Sequence, residues 1–433
     1  MLTNTYTVKN GILRRVIERA CELTGLKLPA LTVMSDRSDP YRLDTPARHR
    51  DGAWLAQQLE IGFPKGKKTH WRGLHYYLIT RKVQVVKPDG SNFLNTEENW
   101  DWLVEDAGKA ARWLGYIEFD RIVDRRNAPP VIHRRPRELP GRRADASLYI
   151  DLPDHIGPVP VSCGFIPRQP FQLVLYGEKS SLEEVAAPIA ERHEADLYLV
   201  TGEISDAYLH QIASDAANDP DHRPLIVITL TDADPSGWQM AISIARKLQG
   251  LKDLFFPHLK FEVVRAGLTI EQVRRLGLPS TPLKKGDKRA KKWKEAFGIE
   301  QTEIDALTTP ERMDDLRQII EAAFKPYFDY DLERRVANAK KRWEAKARAV
   351  IDAQVDKARL EDARARAEEV RAEIASLNTE LEEIATEIEL PAFKVPQPKV
   401  DLDPGRQALV KLDQDWVEVT EGLIADRAYD NGE

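Results

Sequence analysis

A run of apolar and β-branched residues that ends in two closely spaced aspartates places the strongest limit on how this chain can fold. Residues 225–230 read Leu-Ile-Val-Ile-Thr-Leu, and Thr-Asp-Ala-Asp-Pro-Ser-Gly follows at 231–237. Such a run predicts a buried strand, and open α/β sheets bind their ligands beyond the carboxyl ends of strands. Because alternate residues of an extended segment point the same way, we expect Asp232 and Asp234 to project to one side.

The two aspartates allow two interpretations. Carboxylates held side by side repel each other unless a cation lies between them. Mg²⁺ commonly binds one or two carboxylates together with water and phosphate, and Mn²⁺ accepts the same oxygen ligands. Asp and Ser are, however, also frequent in turns and at helix N-caps. The motif alone therefore predicts either a metal site or a capped turn.

The segments around the motif alternate between predicted strands and helices. Strands are predicted at 172–176, 196–200 and 260–265, and helices at 180–193, 205–217 and 238–247. This order favours an α/β domain whose mostly parallel sheet is covered on both faces. Glu178 directly follows the first strand, and the carboxyl ends of parallel strands share one edge. We therefore expect Glu178 to join Asp232 and Asp234 as a third oxygen ligand of the metal ion.

The composition is that of a folded protein without a membrane-spanning segment. With 433 residues the chain is too long for one ordinary core, so we expect two or three domains. No apolar run approaches the roughly 18–20 residues that a membrane helix needs, and the amino-terminal residues do not resemble a secretory signal. The two cysteines, Cys21 and Cys163, cannot form a disulfide framework or a zinc site. Buried thiols in a reducing cytoplasm are the expectation.

Short helices and turns precede the α/β region. Residues 1–64 predict a helical extension. Residues 65–144 predict two helices, each followed by a hairpin, and an Asp-Gly turn at 89–90 closes the first hairpin. The second helix is expected to stop at Gly115. Short helices combined with a two-stranded wing favour a winged-helix DNA-binding domain.

Two basic clusters stand out in a chain whose net charge is −6. Residues 121–143 hold eight arginines against two acids, and residues 284–294 hold seven lysines and arginines against Asp287. Clustered cations attract the phosphate backbone of nucleic acids, although a solvated linker also explains the Pro-Arg alternation of the first cluster. The predicted DNA contacts are Arg121, Arg125, Arg126, Arg134, Arg135, Lys284 and Lys285.

The segment 327–390 contains neither glycine nor proline. Its apolar residues repeat at intervals of four and three, which is the spacing of a coiled-coil seam. The seam consists of Val370, Ile374, Leu377, Leu381, Ile384 and Ile388. We expect a long helix or coiled coil that forms a homodimer or binds a protein partner. The alternative is a helix that packs on its own chain. Pro391 ends the segment, and residues 391–433 form the predicted C-terminal tail, which we expect to be irregular or weakly helical after Val400.

The acidic motifs resemble those of a known family. Glu178 after one strand and Asp232-x-Asp234-x-x-Gly237 after another are similar to the metal-binding acids of a Toprim domain. The Asp-Ala-Asp-Pro-Ser-Gly sequence resembles the form found in topoisomerase VI A subunits and in the related meiotic double-strand-break transesterase. The resemblance covers roughly residues 65–325 and implies that residues 145–326 form the Toprim domain. The chain departs from the family at 203–204, where A subunits often carry Lys-Gly.

The other signature of that family is an Arg-x-(Ile/Leu)-x-Tyr motif in a winged helix, and residues 72–76 fit it loosely. On a helix, Leu74, Tyr77 and Leu78 share an apolar face, whereas Arg72 and Tyr76 share another. Tyr77 is therefore predicted to pack and Tyr76 to be presented as the nucleophile. A free phenol has a pKa of about 10 and needs nearby cations to react at neutral pH. Arg72 and a metal ion would supply them. The alternative is that both tyrosines are core or interface residues.

The resemblance implies a homodimer that cleaves double-stranded DNA. Tyr76 of one protomer would attack a phosphate held by the metal ion of the other, leaving a 5′-phosphotyrosyl link and a double-strand break. The chain has no Gly-x-x-x-x-Gly-Lys-Ser/Thr signature for ATP, so it resembles the bacterial and phage "mini-A" proteins that lack the ATPase subunit. We expect it in the cytoplasm, associated with the nucleoid.

Two other functions stay open at this point. One is a hydrolytic Toprim nuclease that cuts DNA without a catalytic tyrosine. The other is a structural DNA-binding protein that acts through its coiled coil.

Overall fold

In the computed structural model, the chain divides into two compact units. The described residues are 12–35, 37–64, 66–123, 129–134, 142–151, 155–283, 287–369, 374–399 and 408–426. The first unit holds residues 1–135, 171–327 and 402–433, and the second holds residues 136–170 and 328–401. These units differ from the predicted domains, because residues 145–170 group with the helical segment and not with the α/β region.

The strands and helices alternate along the middle of the chain, as the apolar pattern predicts. The strands are β1 (Arg143–Asp151), β2 (His155–Cys163), β3 (Gln172–Gly177), β4 (Asp196–Leu199), β5 (Leu225–Leu230), β6 (Phe261–Gly267) and β7 (Ala408–Val410). The helices are α1 (Ile12–Thr24), α2 (Pro46–Gly62), α3 (Trp71–Ile79), α4 (Glu97–Asp101), α5 (Lys109–Trp113), α6 (Glu183–Arg192), α7 (Asp206–Ala217), α8 (Pro235–Leu254), α9 (Ile270–Leu276), α10 (Ala290–Phe297), α11 (Met313–Phe324), α12 (Leu332–Gln354), α13 (Lys357–Glu369), α14 (Ile374–Thr386) and α15 (Trp416–Asp426). Short 3₁₀ helices lie at Leu28–Leu31, Pro40–Arg42, Phe119–Arg121, Ser180–Leu182, Ile304–Leu307 and Lys325–Tyr327.

A five-stranded sheet in the order β4-β3-β5-β6-β7 forms the centre of the first unit. β3 pairs in parallel with β4 and β5, and β5 pairs in parallel with β6. The prediction of an α/β fold with a mostly parallel sheet is confirmed. The strand that follows β3 in the chain, β4, lies next to β3 on one side, and the next strand, β5, lies next to β3 on the other side. The strand order therefore reverses between β3 and β5. Such a switch point is where open α/β sheets place their ligands.

Helices bury this sheet. Every residue of β3 and β5 is buried, as expected for continuous apolar runs in a parallel sheet. α7 packs against α8, and α6 packs against α11. The main core contains strand residues such as Val174 and Val227 together with Ile244 and Leu248 of α8. The sheet edge that carries the acids is therefore held by a rigid, close-packed support.

The C-terminal segment returns to the same sheet. β7 pairs antiparallel with β6, and Val419 and Leu423 of α15 enter the main core. The predicted irregular or weakly helical tail is thus wrong for β7, and α15 is a packed helix.

Residues 46–123 enclose a smaller core of the first unit. Its buried residues include Leu55, Leu74, Leu78, Phe93 and Leu103. α4, a π-helical segment and α5 follow one another without a break, and the helix stops before Gly115 as predicted. The predicted hairpins reduce to isolated bridges within the described residues. The winged helix therefore stays a prediction.

Within the described residues, the second unit contains the antiparallel strands β1 and β2 and the three helices α12, α13 and α14. β1 and β2 pair antiparallel along their full length. The single long helix predicted for residues 327–390 is wrong, because Val355 is extended and ends α12. α13 and α14 pack on each other through Leu360, Leu381 and Ile384. An ion pair at 3.3 Å joins Arg366 to Glu380.

The described part of the heptad seam therefore packs within one chain, which is the alternative that the spacing left open. The rest of the seam is only partly described. Val370 and the side chain of Ile374 lie outside the described residues.

The structure also bears on the two cysteines and on membrane-spanning helices. Cys21 and Cys163 are half-buried free thiols. Among the described helices, none has the length and apolar character that crossing a membrane requires.

Candidate active site

The acids that follow β3 and β5 meet at the switch point of the sheet. Glu178 comes directly after β3, and its backbone N–H donates to Leu230 O of β5 at 3.1 Å. The backbone N–H of Asp232 donates in return to Glu178 Oε2 at 3.2 Å. The structure thus brings two of the three predicted ligands into direct contact.

Asp232 is buried and both of its carboxylate oxygens have partners. Its side chain is only 7% exposed. Oδ1 accepts a hydrogen bond from Ile304 N at 2.8 Å, and Oδ2 lies 3.2 Å from the ammonium of Lys179. Burial raises the pKa of Asp232 above its ordinary value, because a charged carboxylate loses its hydration there.

Asp234 is the N-cap of α8. Its Oδ1 accepts a hydrogen bond from Gly237 N at 2.7 Å, and Pro235 begins the helix. A Cβ atom on Gly237 would lie 2.2 Å from Asp232 O, so only glycine fits where the turn folds back. The capped-turn interpretation is confirmed for Asp234. The cap uses one carboxylate oxygen, and no described residue is seen to bind the other.

Negative charge exceeds positive charge in this cluster. Burial and then repulsion by Asp232 raise the pKa of Glu178 to about 7. Burial alone would lower the pKa of Lys179, but hydrogen bonds to Asp305 and Glu303 outweigh it and raise that pKa. Sequence reasoning missed Lys179, although it directly follows Glu178.

The donor atoms of the cluster fit a hard divalent cation. Glu178, Asp232 and Asp234 offer carboxylate oxygens, the ligands that Mg²⁺ and Mn²⁺ prefer. A cation would also offset the loss of hydration and the repulsion that raise the pKa of Glu178. As the side chains stand, no group of three or more His, Cys, Asp or Glu residues in the described part of the chain is arranged to hold a metal ion. At Asp232 the cation in contact is an ammonium.

The candidate nucleophile lies on α3. Tyr76 is 58% exposed, whereas Tyr77 packs in the smaller core, with its ring 5.5 Å from that of Phe63. Tyr77 packs and Tyr76 is exposed, as the two helix faces predict. The role of Tyr76 as nucleophile stays a prediction. The His70 side chain caps the helix by accepting from Gly73 N at 3.1 Å.

Tyr76 and Arg72 line one open cavity of about 350 Å³. The lining residues are Arg72, His75, Tyr76, Asn95, Thr96, Glu97 and Trp100. His75 is fixed by a 3.0 Å hydrogen bond to Asn95 and by its ring contact with Trp100. Arg72 is exposed and forms no ion pair with any described acid. None of the three switch-point acids lines this cavity, so the structure does not unite the tyrosine and the acids in one pocket.

The predicted DNA contacts require corrections. Arg121 is buried, and its guanidinium contacts Lys67 O, Phe63 O and Glu60. It therefore stabilises the fold and does not present itself to phosphate. Arg134 is largely buried in ion pairs with two acids, at 2.6 Å to Asp196 and 2.5 Å to Asp215. Arg125, Arg126, Arg135, Lys284 and Lys285 lie outside the described residues.

No protein-family model matches the chain, and no curated protein is significantly similar to it. The resemblance to topoisomerase VI A subunits thus depends on the motif residues alone. It stays a prediction, and so do the homodimer and the DNA substrate.

Proposed function

We propose that this protein is a Mg²⁺-dependent DNA-cleaving enzyme that uses Tyr76 as its nucleophile. The observation that carries the proposal is the meeting of Glu178 and Asp232 at the switch point, beside the Asp234 cap of α8. A buried cluster with more acids than cations suits a hard divalent ion. Glu178, Asp232 and Asp234 would hold Mg²⁺, which when bound would offset the negative charge of the reacting phosphate.

Tyr76 supplies the attacking oxygen in this proposal. The residue is 58% exposed and its hydroxyl forms no hydrogen bond with a described residue, so a DNA phosphate could reach it. A bond forms between Tyr76 Oη and phosphorus while the bond from phosphorus to the 3′ oxygen breaks. The phenol loses its proton, and the departing 3′ oxygen gains one. Arg72, four residues earlier on the same helix face, provides a guanidinium that binds phosphate oxygens.

A homodimer would bring the two sites to one phosphate. The acids do not line the cavity of Tyr76. That separation supports the arrangement implied by the family resemblance, in which the tyrosine of one protomer acts with the acids of another. Two such sites would produce a double-strand break with protein linked to both 5′ ends.

The same separation also favours a second candidate function. A metal-dependent nuclease could use water as the nucleophile at the acid cluster, and Tyr76 would then have no chemical role. Such an enzyme would release free 5′-phosphate ends.

Cleavage of supercoiled plasmid in Mg²⁺ separates these functions. We expect wild type to linearise DNA and to leave protein on the ends, seen as a band whose mobility changes after protease treatment. Tyr76→Phe should lower cleavage by roughly a thousandfold or more, since it removes the nucleophile. Tyr77→Phe is the matched control, because it keeps the ring that packs on Phe63. Asp232→Ala should abolish cleavage.

Each other outcome selects a different function. Cleavage that survives Tyr76→Phe but not Asp232→Ala identifies the hydrolytic nuclease. If wild type binds DNA without cutting it in Mg²⁺ or Mn²⁺, the protein is a non-catalytic DNA-binding protein.

A further inference from the structure

Lys179 is a cation in direct contact with the acid cluster. Its ammonium lies 3.2 Å from Asp232 Oδ2, 3.0 Å from Glu303 Oε2 and 2.8 Å from Asp305 Oδ2. The other oxygen of Asp232 already accepts a hydrogen bond from Ile304 N. The ammonium therefore covers the Asp232 oxygen that the backbone leaves open.

A divalent ion at Asp232 would compete with this ammonium. Two cations that approach one carboxylate oxygen repel each other, and the repulsion doubles when one of them carries two charges. Lys179 directly follows Glu178, a proposed ligand of the same ion, in the chain. Its side chain therefore stays close to the site. The ammonium must then either exclude the metal ion or move aside.

Glu303 and Asp305 allow Lys179 to move aside with its charge still paired. Asp305 is held in place by a hydrogen bond from Ser181 Oγ. Glu303 and Asp305 flank Ile304, whose N–H binds Asp232, so they are fixed relative to the acid cluster through the backbone. The Lys179 side chain is 22% exposed, which leaves room for a change of rotamer.

We propose that Lys179 is a built-in counter-ion of Asp232, and that a divalent cation binds by displacing its ammonium onto Glu303 and Asp305. The inference rests on the proposed metal site, but it concerns metal affinity and not the cleavage step. Lys179 would keep the metal-free cluster stable at the expense of affinity for Mg²⁺ or Mn²⁺.

Mn²⁺ binding to the full-length protein, followed by the electron paramagnetic resonance signal of free Mn²⁺, tests the proposal. Lys179→Gln should tighten binding about tenfold, because the competing charge is gone. Lys179→Arg keeps the positive charge that competes with the metal ion and should bind Mn²⁺ within about twofold of wild type. Lys68→Gln is the control for loss of one surface lysine, since Lys68 pairs with Asp120 and is 57% exposed. It should leave Mn²⁺ affinity unchanged.

Asp305→Asn tests the displacement itself. Without Asp305 the ammonium has fewer alternative partners, so Mn²⁺ binding should weaken about tenfold when Lys179 is present. In the Lys179→Gln background only the general loss of one negative charge remains, and the effect should shrink to about twofold.

Three results would overturn the proposal. Equal Mn²⁺ affinities of wild type and Lys179→Gln would do so, and so would an Asp305→Asn effect of the same size in both backgrounds. Either result leaves the metal site and the proposed cleavage standing. If neither wild type nor Lys179→Gln binds Mn²⁺, the metal site fails together with the inference.

Discussion

Two buried charged clusters of the first unit behave differently. The first centres on Arg246, which is fully buried with its guanidinium 3.2 Å from the equally buried Asp39. Gln249 and Thr420 accept further hydrogen bonds from Arg246, and its guanidinium lies over the Tyr41 ring at 3.9 Å. One positive and one negative charge are matched, and the remaining donors bind neutral acceptors.

The second cluster, at the switch point, is not matched. Glu178, Asp232 and Asp234 come together with Lys179 as the cation in contact with Asp232, and Lys179 is shared with two more acids. The comparison indicates that a buried ion pair with equal charges connects parts of the fold, whereas a buried cluster with more carboxylates than ammonium groups favours the binding of an external cation.

Breaking the balanced cluster should have the largest effect. Arg246→Met keeps an apolar side chain of similar length but leaves Asp39 buried without a cation. We expect a loss of about 3–5 kcal/mol in the free energy of unfolding, measured by urea denaturation. Arg19→Met is the control, because Arg19 is 68% exposed beside Glu22 and an exposed pair contributes about 0–1 kcal/mol. A loss no larger than that of the control would show that Arg246 is not essential to the fold.

His210 is the reverse case of the switch-point cluster, because here burial disfavours the positive charge of a base and not the negative charge of an acid. The ring of His210 stacks on Phe119 at 4.2 Å, and burial lowers the pKa of His210 to about 4. As the pH falls, His210 is therefore protonated near pH 6.5 in the unfolded chain, whereas in the folded protein it is protonated only near pH 4. The stability that the neutral ring contributes is present above pH 6.5 and is lost as the pH falls toward 4, by about 3 kcal/mol. His210→Phe should flatten this part of the urea-midpoint curve between pH 7 and 4. An unchanged slope would refute the assignment to His210.

Neutralising one acid of the switch-point cluster should stabilise the metal-free protein. At pH 8 Glu178→Gln removes a carboxylate that burial and Asp232 disfavour, and its amide oxygen can still accept from Asp232 N. We expect a gain of about 1 kcal/mol in the chelator-treated protein, together with loss of the stabilisation that Mn²⁺ gives wild type. Glu22→Gln, at an exposed position, should change neither value. Destabilisation of the metal-free protein by Glu178→Gln would contradict the idea of an unbalanced cluster.

Substitutions of Asp234 separate capping from metal binding, and their effect on stability should be no larger than that of Glu178→Gln. Asp234→Ala should cost about 1 kcal/mol because the α8 cap is lost, whereas Asp234→Asn keeps an equally good cap. Both variants should bind Mn²⁺ more weakly, because both lack the carboxylate. If Asp234→Asn retains the affinity of wild type, Asp234 is a helix cap only.

The α/β region could be predicted from the sequence because its signals are local. The apolar runs of β3 and β5 identify buried strands, and the parallel order then requires Glu178 and Asp232 to share an edge. The spacing of Leu74, Tyr77 and Leu78 likewise indicates which tyrosine of α3 packs.

The missed features depend on partners far away in the chain. β7 is three residues long and forms only by pairing with β6, more than a hundred positions earlier. Lys179 meets Glu303 and Asp305 across a similar separation.

The heptad spacing and the density of arginines could not by themselves identify the partners of these residues. The heptad seam around Leu381 has the same spacing whether its partner is a second chain or α13, so periodicity could not choose between them. Arginine density near Arg121 attracts phosphate in principle, but it cannot show that this guanidinium is buried against Glu60.

Mass spectrometry of the covalent complex tests the central claim most directly. Wild-type protein is incubated with DNA and Mg²⁺, denatured during cleavage, and digested with nuclease and protease. We predict a nucleotide linked through its 5′ phosphate to the peptide that contains Tyr76, and no such peptide from Asp232→Ala. Cleaved DNA with free 5′ phosphates and an unmodified Tyr76 peptide, or a nucleotide on Tyr77, would contradict the account.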